Sequence, residues 1–160
     1  TLEQRLKTDG FNIRIQNEGL SVDTTAGGLS RLPAAIAGEP KPRLVIVALG
    51  ANDMVHRLDA EQAKKNLSAI LQALKDQKIP VFLIGIRNPL GYGPFMKGPF
   101  PALFQDLAKE FDVPFYPYML KDVAMIPELN QADGSHPNEK GVAIMVKNIA
   151  PSIEDALKKD

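Results

Sequence analysis

The stretch Leu44-Val45-Ile46-Val47-Ala48-Leu49-Gly50-Ala51-Asn52-Asp53 decides how this chain is read. Six apolar residues run without interruption and stop at a glycine. The run is too short for a buried helix and carries β-branched residues at 45, 46 and 47, so it reads as a strand covered on both faces. Pro80-Val81-Phe82-Leu83-Ile84-Gly85-Ile86 repeats the pattern. Between the two lies Ala60 to Gln77, where Leu67, Ile70, Leu71 and Leu74 recur at helical spacing. Strand, helix, strand is the βαβ unit, and it predicts a parallel sheet with helices on both faces.

Working outward, Thr1 to Asp9 reads as an amphipathic helix stopped by Gly10, with Leu2 and Leu6 four apart. Phe11-Asn12-Ile13-Arg14-Ile15-Gln16 alternates apolar and polar, which predicts a half-exposed strand. Asp23-Thr24-Thr25-Ala26-Gly27-Gly28 is a turn able to cap a short helix carrying Leu29, Leu32 and Ile36. Toward the other end, Arg87 to Pro99 is a Gly- and Pro-rich loop. Pro101 to Phe111 is helical, with Leu103, Phe104 and Leu107 inward, and Val113 to Tyr116 is a short strand. Met119 to Asn130 is a partly helical connection. Asn138 caps a last helix reaching about Lys158. The 160 residues fit one domain, 1–160, with 44% apolar residues to build its core.

Nineteen Lys and Arg balance nineteen Asp and Glu. This is not the basic face of a nucleic-acid binder. No Cys occurs, which excludes thiol catalysis and Cys-based metal sites. With only two histidines, and no second one near His136 in sequence, a metal site is not expected.

Ligands of parallel sheets bind beyond the carboxyl ends of the strands, so chemistry is sought in the segments that follow them. Three stand out: Ser21 to Gly28, Gly50 to Asp53, and Asp133-Gly134-Ser135-His136-Pro137. An imidazole can take a proton from a hydroxyl and return it to a leaving group, and a carboxylate such as Asp133 fixes its tautomer. Asn52 can donate amide hydrogens to a developing oxyanion, and Gly50 lets backbone approach closely. Each motif also has a plain reading: Asp-x-x-His as a surface turn, Gly-x-Asn-Asp as turn chemistry. Asp53 is expected to cap the following loop, Asp23 to stabilise its own turn, and His56 to be an exposed loop residue.

Taken together, these segments resemble the SGNH (GDSL) hydrolases. Gly50-Ala51-Asn52-Asp53 is similar to the third conserved block of that family and Asp133-Gly134-Ser135-His136-Pro137 to the fifth. Ser21-Val22-Asp23-Thr24-Thr25-Ala26-Gly27-Gly28 resembles the second block of the thioesterase I/lysophospholipase L1 (arylesterase) subgroup. Arg87-Asn88-Pro89 with Tyr92-Gly93-Pro94 resembles that subgroup's substrate loop. The resemblance implies a flavodoxin-like three-layer α/β/α sandwich and a serine hydrolase of esters and thioesters, without cofactor. It makes His136 the general base and Asp133 its orienting partner. Asn52 and the backbone amides of Gly50 and Val22 become oxyanion donors. Tyr92, Pro94, Phe95 and Met96, with Phe100 beside them, are candidates either for the acyl pocket or for the rim of the core. By the same resemblance the protein is expected in the periplasm or outside the cell.

Two departures follow. The Gly-Asp-Ser-Leu block and its strand, the family's first, precede the first helix and are absent from this chain, so the nucleophile is expected in residues before Thr1. None of the serines present is a convincing substitute: Ser21 is expected to bond nearby backbone, Ser135 adjoins His136 in a tight loop where neighbours rarely reach each other's side chains, and Ser30, Ser68 and Ser152 sit on predicted helices. The missing strand should leave two strand edges bare, to be covered by a bound N-terminal peptide or by a strand swapped between copies in a homo-oligomer. The second departure is Val22, where the family has Gly; a β-branched residue there should shift the turn or weaken the oxyanion hole. Two other classes compete with the enzyme: a serine-less scaffold that holds acyl ligands without turnover, and a phosphate binder at the Asp23–Gly28 turn. The latter lacks a Gly-Lys-Ser/Thr loop and leaves Asp133 and His136 unexplained.

Overall fold

A computed structural model describes residues 1–86 and 100–158. Three strands, β1 (Val45–Val47), β2 (Val81–Ile84) and β3 (Phe115–Tyr116), form one sheet in the order β1-β2-β3, and both pairings are parallel. Val45 is in register with Val81 and Leu83 with Phe115. Side chains alternate across β2. Val81 and Leu83 enter one core with Leu67, Ile70, Leu74, Phe104 and Leu107, and Phe82 and Ile84 enter a second with Leu6, Ile149 and Ile153. One face is therefore covered by α2 (Thr25–Ala35), α4 (Ala60–Asp76) and α5 (Phe100–Phe111), and the other by α1 (Leu2–Thr8) and α6 (Glu139–Leu157). This is the three-layer α/β/α arrangement that the alternation of elements predicts.

The helix ends follow from their caps. Thr1 and Gln4 form a reciprocal capping box, Thr24 accepts from the Gly27 amide, and Asp59 accepts from the Glu61 amide. Asn138 accepts from the amides of Lys140 and Gly141, as expected.

Two strand expectations are corrected. Phe11 to Gln16 forms no strand: its Ile13 amide bonds back to Phe11 and its Ile15 amide donates to Glu3 Oε2, so no ladder runs through it. Phe11 and Ile13 still pack against the second core, as do Leu44 and Ile46 of the first strand run. The alternation marks an inward face at Phe11 and Ile13, while Ile15 is exposed; a strand also needs a partner, and none of the described strands reaches this segment. The apolar run 44–49 gives only Val45–Val47 as strand, with Ala48 exposed; among the described strands β1 pairs with β2 alone. β2, paired on both sides, is buried at every position.

Phe100 is 8% exposed and belongs to the first core, which settles it as a core residue. Tyr92, Pro94, Phe95 and Met96 lie outside the described residues.

The direction of α6 fixes what lies near what. Arg43, just before β1, donates to the carbonyl of Leu157 at 2.8 Å, so α6 ends at the amino edge of the sheet. Its nineteen residues span about 28 Å. Its first turn, next to the 133–137 loop, therefore lies toward the carboxyl edge, where β1 runs into Gly50.

Candidate active site

The loop that carries His136 is closed at its base. Asn130 and Pro137 form an antiparallel bridge, the Gln131 amide donates to the His136 carbonyl at 2.7 Å, and the Asn138 amide donates to the Leu129 carbonyl at 2.9 Å. Beneath it Asn130, 7% exposed, donates to the carbonyls of Val123 and Ile126, both at 2.8 Å. Sequence reading passed over Asn130; its only mark there is an Asn at the end of the 119–130 connection.

Inside the loop, Asp133 and His136 make contact. Asp133 Oδ2 lies 2.7 Å from His136 Nδ1, and Oδ1 accepts from the amides of Ser135 at 2.9 Å and His136 at 3.0 Å. Gly134 turns the chain with φ +69°. Hydrogen bonds from those two amides and the imidazole hold the Asp133 carboxyl at about 2, well below the usual carboxylate range. An ionised carboxylate accepts only, so Nδ1 is the donor and Nε2 is left as the basic nitrogen. The His136 side chain is 73% exposed. The geometry supplies an oriented base open to whatever approaches. Ser135 is not that partner, since its hydroxyl bonds the Asp133 carbonyl; Ser30 likewise bonds the Gly27 carbonyl.

The candidate oxyanion donors form a second group. Gly50 caps the short helix α3 (Ala51–Val55) with φ +105°. A Cβ at that position would meet Phe104 Cζ at 3.0 Å and Ile86 Cδ1 at 3.3 Å. Glycine is required there by backbone and by space. Asn52 donates one amide hydrogen to the Asp23 carbonyl at 2.7 Å, which ties it to the Val22 loop and leaves its other hydrogen. Val22 takes φ +56°, unusual for a β-branched residue, and is 73% exposed.

Asp53 does not cap the loop that follows it. It is 2% exposed and its two oxygens accept from the backbone amide (2.9 Å) and the hydroxyl (2.6 Å) of Thr25. Asp23 behaves as expected: it accepts from the Thr24 amide and pairs with Arg31 at 2.8 Å. His56 is exposed at the end of α3.

A groove of about 830 Å³ borders the His136 loop, lined by Thr1 and Arg5 at the cap and start of α1, by Pro137 and Asn138 of the loop end, and by Val142 and Val146 of α6. The N-cap of α1, Thr1, thus lies beside the loop that presents the imidazole.

A three-layer sandwich that carries an imidazole–carboxylate pair after its last strand, and a Gly-x-Asn-Asp turn directly after β1, is the frame of an SGNH-type hydrolase. The profile of the GDSL-like lipase/acylhydrolase family matches residues 1–144, and the chain belongs to that family. It is 34% identical over 156 residues to Esterase TesA of Pseudomonas aeruginosa PAO1, covering 98% of this chain and 77% of that protein. It is 35% identical over 146 residues to Thioesterase 1/protease 1/lysophospholipase L1 of Escherichia coli K12, covering 91% of this chain and 70% of that protein. Among solved structures, a crystal structure of TesA superposes with TM-score 0.89 at 33% identity, covering 97% of this chain and 86% of that one. AlinE4, an SGNH-hydrolase family esterase, does so with TM-score 0.77 at 39% identity, covering 98% and 83%.

Proposed function

We propose that this chain supplies the base and the oxyanion donors of a serine hydrolase acting on carboxylic esters and thioesters, among them aryl esters, acyl thioesters and lysophospholipids. The observation that carries the reading is the 2.7 Å contact of Asp133 with the exposed His136 imidazole. His136 Nε2 accepts the proton of a serine hydroxyl as its oxygen bonds to the acyl carbon. The carbonyl oxygen takes up negative charge and is met by Asn52 and the amides of Gly50 and Val22. Collapse of the tetrahedral species expels the alcohol or thiol, which takes the proton from His136. Water then cleaves the acyl-enzyme by the same steps.

The hydroxyl comes from residues preceding Thr1. Support for this comes from the groove of Thr1, Asn138, Val142 and Val146, an apolar seat beside the imidazole for a segment that continues α1 backwards. The edge of β1 that no described strand pairs with offers the same segment a strand to join, whether it arrives as a bound peptide or is exchanged from a second copy. The relatives named as an esterase, a thioesterase/lysophospholipase and an arylesterase of Vibrio mimicus support the substrate class.

The test is p-nitrophenyl butyrate hydrolysis by the chain joined to, or mixed with, a peptide ending in a strand and Gly-Asp-Ser-Leu. Turnover should appear only with the peptide, and His136→Ala should lower it roughly 10³-fold. Turnover that survives His136→Ala, or none with the peptide bound, would refute the reading. A competing role as a non-catalytic acyl-binding scaffold is favoured by the engaged hydroxyls of Ser30 and Ser135. It predicts saturable fatty-acid binding with no turnover in either state.

A further inference from the structure

A chain of hydrogen bonds, exposed at its Gln62 end and buried beyond it, crosses three helices behind the proposed oxyanion donors. Gln62 donates to Asn66 Oδ1 at 3.0 Å, Asn66 donates to Thr25 Oγ1 at 3.0 Å, and Thr25 Oγ1 donates to Asp53 Oδ1 at 2.6 Å. The other Asp53 oxygen accepts the Thr25 amide at 2.9 Å. Thr25 is fully buried, and Asp53 and Asn66 are nearly so. The direction of the chain is fixed. Thr25 Oγ1 receives from Asn66, so its own hydrogen must go to Asp53, and the end of the chain must accept twice. Here one bond falls on each of two terminal atoms, so both must be acceptors, as the oxygens of a carboxylate are and the O and NH₂ of an amide are not. Unsatisfied members of such a network are costly, so the whole set acts as one unit.

Its position gives it a task. Thr25 opens α2 directly after the Val22–Thr24 loop, and Asp53 directly follows Asn52. Among the described residues, the other hydrogen bond joining the two segments that carry the proposed oxyanion donors runs from Asn52 to the Asp23 carbonyl. α3 is only five residues long and cannot hold its own orientation. We propose that Asp53 is a positioning residue: through Thr25 it sets the distance between the Val22 amide and the Gly50–Asn52 donors, and so the shape of the oxyanion hole. The role rests on the ester-hydrolase reading for its consequence, but not for its geometry.

Two measurements test it. In the 160-residue chain, ¹H–¹⁵N spectra follow the Asn52 side-chain amide, and hydrogen exchange follows the Thr25 amide. In the serine-supplied enzyme, kcat and KM are measured separately. Asp53→Asn puts an NH₂ against a hydroxyl that must donate, and Thr25→Val keeps the shape but removes the hydroxyl. Both should displace the Asn52 signals and cut Thr25 protection at least roughly tenfold. Both should lower kcat roughly 10- to 100-fold, the penalty of a misplacement near 1 Å, with KM changed less than about threefold. Thr25→Ser should recover most of the loss. If Asp53→Asn does not fold, Thr25→Val carries the test. Loss of thermal stability in both variants with Asn52 signals and kcat unmoved would reduce the network to simple packing and overturn the proposal. If the parent enzyme shows no turnover, the ester-hydrolase reading fails, and the Asn52 and Thr25 signals alone decide the clamp.

Discussion

Replacing Gly50 by Ala tests whether the turn after β1 is fixed by backbone, by crowding, or by both. Its φ of +105° lies outside the regions open to residues with a Cβ, and such conformations cost roughly 1–3 kcal/mol. The added Cβ would lie 3.0 Å from the ring of Phe104, which is fully buried, and 3.3 Å from Ile86. Both must yield by tenths of an ångström, and overpacking of this kind costs typically 1–3 kcal/mol. Against this, Ala restricts the unfolded chain and returns roughly 0.4–1 kcal/mol. The net expectation is a loss of about 1–5 kcal/mol, centred at about 3, or roughly 5–15 °C in Tm at that centre for a chain of this size. Two controls separate the terms. Gly10 has φ +96° but nothing within 4 Å of its would-be Cβ, so Gly10→Ala should show the backbone term alone, about 1–2 kcal/mol. Gly38 has neither a positive φ nor a neighbour within 4 Å, and Gly38→Ala should be neutral or slightly stabilising. Urea unfolding of the three variants reads the differences directly. Equal losses for Gly50→Ala and Gly10→Ala would show that Phe104 and Ile86 impose no constraint, and a loss below about 1 kcal/mol at Gly50 would refute the turn geometry itself.

Two further outcomes follow from the site. Val22→Gly relieves a left-handed β-branched residue whose side chain is mostly exposed. Relief and added chain entropy nearly cancel, so stability should move by less than about 1 kcal/mol. kcat of the serine-supplied enzyme should rise several-fold, and unchanged or lower kcat would refute a cramped oxyanion turn. The second outcome concerns acid. Asp133 is held at about 2 in the fold, below its unfolded value near 3.9. Its hydrogen bonds therefore add stability that is fully present above about pH 4 and is lost as pH falls through about 2. A carbon-detected titration should find its carboxyl changing charge near pH 2, and the stability gap between wild type and Asp133→Asn should close below that pH. Titration near pH 4 would mean that the imidazole and the two amides do not hold it.

Much of the fold could be read locally. The 44–49 and 80–86 runs and the helical spacing of Leu67, Ile70, Leu71 and Leu74 record burial that neighbours in sequence share, so they announce buried strands and an amphipathic helix. Asn138 announces its cap, and Asp-x-x-His its loop, because the bonding partners lie within three residues. The strand expected at 11–16 fails for the opposite reason: alternation records which face is inward, while pairing depends on a neighbour that may come from anywhere in the chain.

By itself, then, the sequence determined the layered βαβ architecture, the family, and the residue types at the two ends of the chemistry. Those are consequences of short-range periodicity and turn geometry. Only the tertiary structure decided that Asp53 binds Thr25, 28 positions away, and that Asn66 joins them from 41 positions beyond Thr25. It also decided that Val22 takes up the left-handed turn and that Gly50 is walled in by Phe104 and Ile86. A buried polar group takes its partner from whatever the packing of α2, α3 and α4 brings within 3 Å, and no local pattern encodes that distance.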